Sequence, residues 1–245
     1  SATQCACFDT AFQSNLPTSA SCYAIPTELR RQGFRRFEFH GINHQQISET
    51  VAKQWQQQGK DPSQLRLISA HLGAGASLAA IRGGSCIDTT MGFTPLEGLV
   101  MATRSGSVDP GLLLALMREG YSADQIASIL QEQSGLKGLS DLSGNMQDIR
   151  AEALAGHDGA ALALAVFKHR LQQLIGSMAA SLHGVDVLAL TGGIGEHDGA
   201  LQQELRVELE WLSDVEITVI RADEEGMIAR LCRRSRSHTQ SAAVG

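Results

Sequence analysis

The chain has 245 residues, of which 43% are hydrophobic and 19% charged, and its formal net charge is −6. That composition is globular and the length can bury a sizeable core, while the acidic balance argues against nucleic acid or an anionic membrane as the main partner. Five cysteines, at 5, 7, 22, 86 and 232, form no Cys-x-x-Cys pair, so spacing suggests neither a zinc site nor a disulfide framework. A reducing cytoplasm is the expected compartment, without secretory leader or apolar membrane span.

The elements follow in chain order. "QCACFDTAF" (4–12) alternates small apolar residues into Asp9 and reads as a buried strand ending in a carboxylate, with Cys5 and Cys7 packed in the core. "FRRFEFHGINH" (34–44) offers a short strand and a turn at Gly41, then a helix from about Asn43 to Gln58. Three strands are predicted next, at Leu65–Leu72, Ala76–Arg82 and Ser85–Thr89, with Gly83-Gly84 as a tight hairpin turn between the last two. Pro110 opens one helix, and Ser122-Ala-Asp opens another. A long helical signal runs from near Met146 to a stop at Gly184, followed by the strand "VDVLAL" entering "TGGIGEHDGA". A helix to about Trp211, a strand "VEITVI" and a last helix from near Asp223 complete the order. This is an α/β chain with one mixed sheet, read as a single domain over 1–232 with a polar tail at 233–245 expected to be disordered.

The strongest local signal is a strand running into glycines, found twice. In "ISAHLGAGAS", Gly73 and Gly75 frame a bend after His71; in "VLALTGGIGEHDGA", Gly192, Gly193 and Gly195 precede Glu196 at a helix start. Backbone N–H groups at such places receive anions, and a bare hairpin or βα turn is the competing reading. Asp9 is either a metal-holding group or a turn cap, equally on position alone. Glu224 and Glu225 suit the first turn of a helix in any case. Arg104 fits planar recognition of phosphate or carboxylate, or a surface pair with Asp109. His40, His44 and His71 are better hydrogen-bonding histidines in a polar cleft than a metal set, since Gly41 and Asn43 interrupt the helix that would align the first two. Phe39 and Pro95 line a small apolar pocket or fill core.

Together, "CFDTAF", "YAIPTEL", "FRRFEFHGINH", "ISAHLGAGAS", "DTTMGFTPLEGLVMATRSGSVDP", "TGGIGE" and "ADEEGMIAR" resemble the acetate kinase family, in order and across nearly the whole chain. The resemblance implies a ribonuclease-H-like α/β domain of the actin, sugar-kinase and Hsp70 superfamily. It also implies reversible transfer of the γ-phosphoryl group of ATP to acetate, with Mg²⁺. By position, Asp9 and Glu224 match the family's metal-serving carboxylates, Arg104 the arginine that stabilises the transferred phosphoryl group, and His40 the histidine that hydrogen-bonds it. Phe39 and Pro95 match the acetate-methyl pocket. His71, Gly73 and Gly75, with Gly192, Gly193, Gly195 and Glu196, match the two nucleotide loops, and Asn145, Met146 and Gln147 the run against adenine and ribose.

The departures are specific. The family's phosphate-1 loop, second active-site arginine and further histidine, all from its N-terminal domain, have no counterpart in this sequence. Ala74 stands where asparagine is usual, Asn145-Met146-Gln147 replaces an Asp-Phe-Arg type run, and Ser107 replaces a common acidic residue. The resemblance therefore implies the family's C-terminal, nucleotide-side domain, weak or inactive by itself, dimerising through this domain and completed by a separate N-terminal half. The alternatives are a non-catalytic nucleotide-binding module and half of a propionate or butyrate kinase.

Overall fold

The computed structural model describes residues 4–12, 14, 16–37 and 39–242, with side chains through Ser235. Five strands, β1 (Arg66–Leu72), β2 (Ala76–Arg82), β3 (Ser85–Thr89), β4 (Val187–Thr191) and β5 (Glu216–Val219), form one sheet in the order β3-β2-β1-β4-β5. The first three are antiparallel, whereas β4 runs parallel to β1 and β5 parallel to β4. This is the mixed, ribonuclease-H-like α/β arrangement expected from the sequence. All three strands of the meander fall within a residue of the predicted limits. Gly83 and Gly84, both at positive φ, make the turn that I′ geometry requires.

The pleat divides the sheet between two cores. On one face Ile68, Ala70, Leu78, Leu188 and Leu190 pack under helices of the chain's second half; on the other, Leu67, Ala79, Ile81, Val187 and Ala189 meet Ile47 and Val51. Every residue of β4 is buried, the mark of a parallel strand covered on both sides. Short helical turns α1 (Thr18–Ser21) and α2 (Thr27–Arg31) precede α3 (Gly41–Gln57), which supplies Ile47 and Val51. Then come α4 (Pro110–Arg118), begun by Asp109 and Pro110, and α5 (Ala123–Glu132), begun by a Ser122–Gln125 capping box. A short helix that the sequence reading missed, α6 (Gly135–Ser140), follows.

Three expectations are corrected. Residues 4–8 form no strand: Cys5 and Phe8 are exposed, and both sheet edges, β3 and β5, leave this segment unpaired. Alternation marks a strand only when a neighbour offers an edge. The long helical signal is two helices, α7 (Met146–Leu154) and α8 (Asp158–Leu182). Gly156 at φ 92° ends the first, and the ring of His157 caps the second by accepting from Ala160 N at 3.1 Å. Helix α3 begins at Gly41, not Asn43, so neither residue interrupts it. Beyond α9 (Gly192–His197) and α10 (Gly199–Glu208), the last helix α11 (Glu224–Ala242) runs through most of the segment whose composition suggests disorder. It packs against α3, with Arg234 on Glu49 at 2.8 Å. Residues 243–245 lie outside the described residues.

Candidate functional site

Because β1 and β4 are parallel neighbours with His71 opposite Thr191, both glycine loops leave the same end of the sheet. That end is where open α/β sheets receive ligands. The Gly73-Ala74-Gly75 bend is a hairpin turn, with Leu72 paired to Ala76, and also a wall: Gly73, Ala74 and Gly193 line a cavity of about 600 Å³ with Asn145, Met146, Gln147 and Arg150. An adjoining cavity of about 810 Å³ shares Gly193 and His197 and is bounded by His71, Gly192, Glu196 and Glu224. Ala102 N donates to Ala74 O at 3.1 Å, tying the bend to the Arg104 segment.

The glycines serve different ends. Gly192 sits at φ 78°, and a Cβ there would lie 2.8 Å from Leu72 O, so close strand-to-loop packing requires glycine. A Cβ on Gly193 would meet nothing within 4 Å; it would project into space that both cavities border. Gly195 is buried against Leu190 and Leu72. The Glu196 carboxylate accepts from Gly192 N (3.0 Å) and Ala222 N (2.9 Å), so it holds the loop together. Asn145 likewise caps α7, accepting from Gln147 N at 2.8 Å, while Met146 is buried core.

The N-terminus of α3 builds the rest. His40 caps it in the left-handed conformation, φ 61°. Asp9 Oδ2 accepts from His40 N (2.7 Å) and Oδ1 from Ile42 N (3.1 Å), a carboxylate at a positive helix end. His40 Nδ1 then meets Ser77 Oγ at 2.9 Å, and the same hydroxyl lies 2.8 Å from Nε2 of buried His44, whose Nδ1 meets Ser69 Oγ at 2.8 Å. One hydroxyl carries one proton, so Ser77 donates to one ring and accepts from the other. When it donates to His40, the other ring nitrogen, Nε2, is the N–H donor. His71 stacks on His40 and pairs with Asn43 Oδ1 at 3.1 Å. Burial lowers the pKa of all three histidines, His71 to about 3. They are neutral hydrogen-bonding groups.

Arg104 faces His40 across Gly75: a Cβ there would be 3.2 Å from His40 Nε2 and 3.6 Å from Arg104 Nη1. Its guanidinium donates to Pro95 O at 3.1 Å and has no pairing with Asp109, which caps α4. Pro95 therefore anchors the arginine, and Phe39 packs on the core directly before His40. Burial, with the nearby Asp9 charge, raises the Glu224 pKa from its ordinary value. The Ser69 and Ser77 hydroxyls and the Asn43 amide escaped the sequence reading as partners of the three histidines, because only the folded hairpin and α3 set them against one another. Arg150 escaped because its ion pair with Asp198, at 2.7 Å, bridges 48 positions.

The profile of the Acetokinase family matches residues 1–213. The chain is 49% identical to acetate kinase of Microcystis aeruginosa over 82% of its length and 50% of the relative's, and 44% identical to that of Acaryochloris marina over 94% and 62%. Among solved structures, Porphyromonas gingivalis acetate kinase superposes with a TM-score of 0.86 at 36% identity, covering 91% of this chain and 61% of that one. A propionate kinase from Francisella tularensis gives 0.84 at 35%, covering 91% and 62%. The chain thus spans between half and about three fifths of the length of these relatives, and it belongs to the acetokinase family.

Proposed function

We propose that this chain forms the nucleotide-binding side of a carboxylate kinase that converts ATP and acetate to ADP and acetyl phosphate. The observation that carries the reading is the convergence of His40 Nε2 and Arg104 Nη1 over Gly75, beside two glycine loops and a carboxylate pair. In the reaction an acetate oxygen bonds to the γ-phosphorus as the bond to the β,γ-bridging oxygen breaks. Acetate is already an anion, so no base is required, and positioning with charge stabilisation suffices.

The residues have separable tasks. Asp9 holds the N-terminus of α3 and so fixes the backbone of His40. The Ser77 relay leaves His40 Nε2–H directed at the transferred group, and Arg104, anchored by Pro95 O, offers its remaining N–H donors. The cavity beside Asn145 and Gly193 suits the nucleoside and the adjoining one its phosphates. Mg²⁺ fits the donor set, because Asp9 and Glu224 offer hard oxygens and a cation offsets the burial and the Asp9 charge that raise the Glu224 pKa. When bound, Mg²⁺ neutralises phosphate charge. These residues make one wall of a cleft. The other wall would come from the part of the relatives that this sequence does not match, and exposed Leu112, Leu114 and Met117 on α4 favour pairing with a second copy.

A hydroxamate assay for acyl phosphate, run with and without the N-terminal domain of a relative, tests the reading. Acetyl hydroxamate formed only with the complement is expected. Preference for propionate would move the assignment to a propionate kinase, in line with the second structural relative. ATP binding with no acyl phosphate under either condition would overturn catalysis in favour of a binding module.

A further inference from the structure

Three of the five cysteines, two near the start of the sequence and one near its end, meet on the surface. The Sγ atoms of Cys5, Cys7 and Cys232 all lie within 4.8 Å of one another, and those of Cys7 and Cys232 are 3.8 Å apart. A disulfide would need about 2.05 Å. Thiolates bound at about 2.3 Å in a tetrahedral set sit about 3.8 Å from each other. Cys5 and Cys7 lie two positions apart in the segment before Asp9, and Cys232 lies on α11.

We infer that Cys5, Cys7 and Cys232 form a trithiolate site for a single thiophilic d¹⁰ cation, foremost Zn²⁺. Cys5 is exposed and Cys7 and Cys232 are half-buried, so the fourth position opens to water. Binding replaces three S–H bonds by three metal–sulfur bonds and releases the three protons to solvent. Thiolate sulfur selects soft or borderline ions over Mg²⁺, which separates this site from the Asp9–Glu224 carboxylates. The ion staples the segment bearing Asp9, two residues beyond Cys7, onto the helix that begins at Glu224. Sequence spacing gives no hint of this, because 225 positions separate two of the ligands.

The test uses the full 245-residue chain, reduced and metal-free. Cd²⁺ serves as the optical probe through its thiolate-to-metal absorption, with Zn²⁺ as competitor. One Cd²⁺ per chain, displaced by Zn²⁺ with proton release, is expected. Cys5→Ser, Cys7→Ser and Cys232→Ser should each weaken binding by more than the roughly 10–100-fold that loss of an outer-shell partner costs. Cys22→Ser should leave it unchanged, and thermal melts without metal establish that each variant folds. Zn²⁺ should shield three thiols from alkylation while exposed Cys22 stays reactive. Full Cd²⁺ absorption in Cys232→Ser, no absorption at one equivalent, or equal alkylation of Cys5, Cys7 and Cys232 with and without Zn²⁺ would each overturn the site.

Discussion

The imidazoles of His40 and His71 stack with centroids 4.2 Å apart and planes inclined by 22°. Protonating both rings would set two cations against each other, and burial already disfavours the first charge.

Acid should therefore unfold the chain through these histidines. The His71 pKa is about 3 in the fold and about 6.5 in the unfolded chain. Between those values the unfolded state binds the extra proton. The stability is fully present above the higher value and is lost as pH falls below it. The loss is about 1.4 kcal/mol per pH unit for each such histidine. Urea midpoints measured from about pH 7 to about pH 5 should fall, and His71→Gln should flatten the decline by one proton. An identical pH profile in that variant would contradict the assignment.

Ser77→Ala removes the hydroxyl shared by His40 and His44. It should cost about 1–3 kcal/mol, because a fully buried imidazole nitrogen loses its partner. In the complemented enzyme, turnover should fall more than nucleotide affinity, since His40 loses its orientation. Denaturation together with an ATP titration separates the two effects.

Gly193→Val and Gly192→Ala should behave oppositely. The first adds a side chain where no atom lies within 4 Å of the new Cβ, so the melting temperature should hold while ATP affinity drops. The second forces alanine to φ 78° against Leu72 O and should destabilise the fold by about 1–2 kcal/mol or more. Unchanged ATP binding in Gly193→Val would place the nucleotide elsewhere.

Arg104→Ala should lower turnover about 10²–10³-fold in the complemented enzyme with little change in ATP affinity. Its partners, Pro95 O and Met101 Sδ, belong to its own segment, so the fold survives its removal. An equal loss in ATP affinity and turnover would make it a ground-state binding residue instead.

Much was legible in the chain because its signals are local. Strands β1 to β3 announce themselves by apolar runs and a Gly-Gly turn, α4 and α5 by their caps, and β4 by a run buried throughout. The family motifs mark His40, Arg104, Asp9 and Glu224 as candidates. The sequence could not show that Asp9 caps α3, that Glu196 is spent on Gly192 and Ala222, or that Asn145 caps α7. Hydrogen-bond partners depend on which backbone atoms the fold leaves within reach. Nor could alternation at 4–8 reveal that neither edge strand, β3 or β5, takes this segment as a partner, which depends on where the fold places it. The Ser69–His44–Ser77–His40 relay and the three-cysteine cluster exist only once the hairpin, α3 and α11 close on one another. Periodicity fixes which face of an element is apolar. Only packing decides which polar atoms meet.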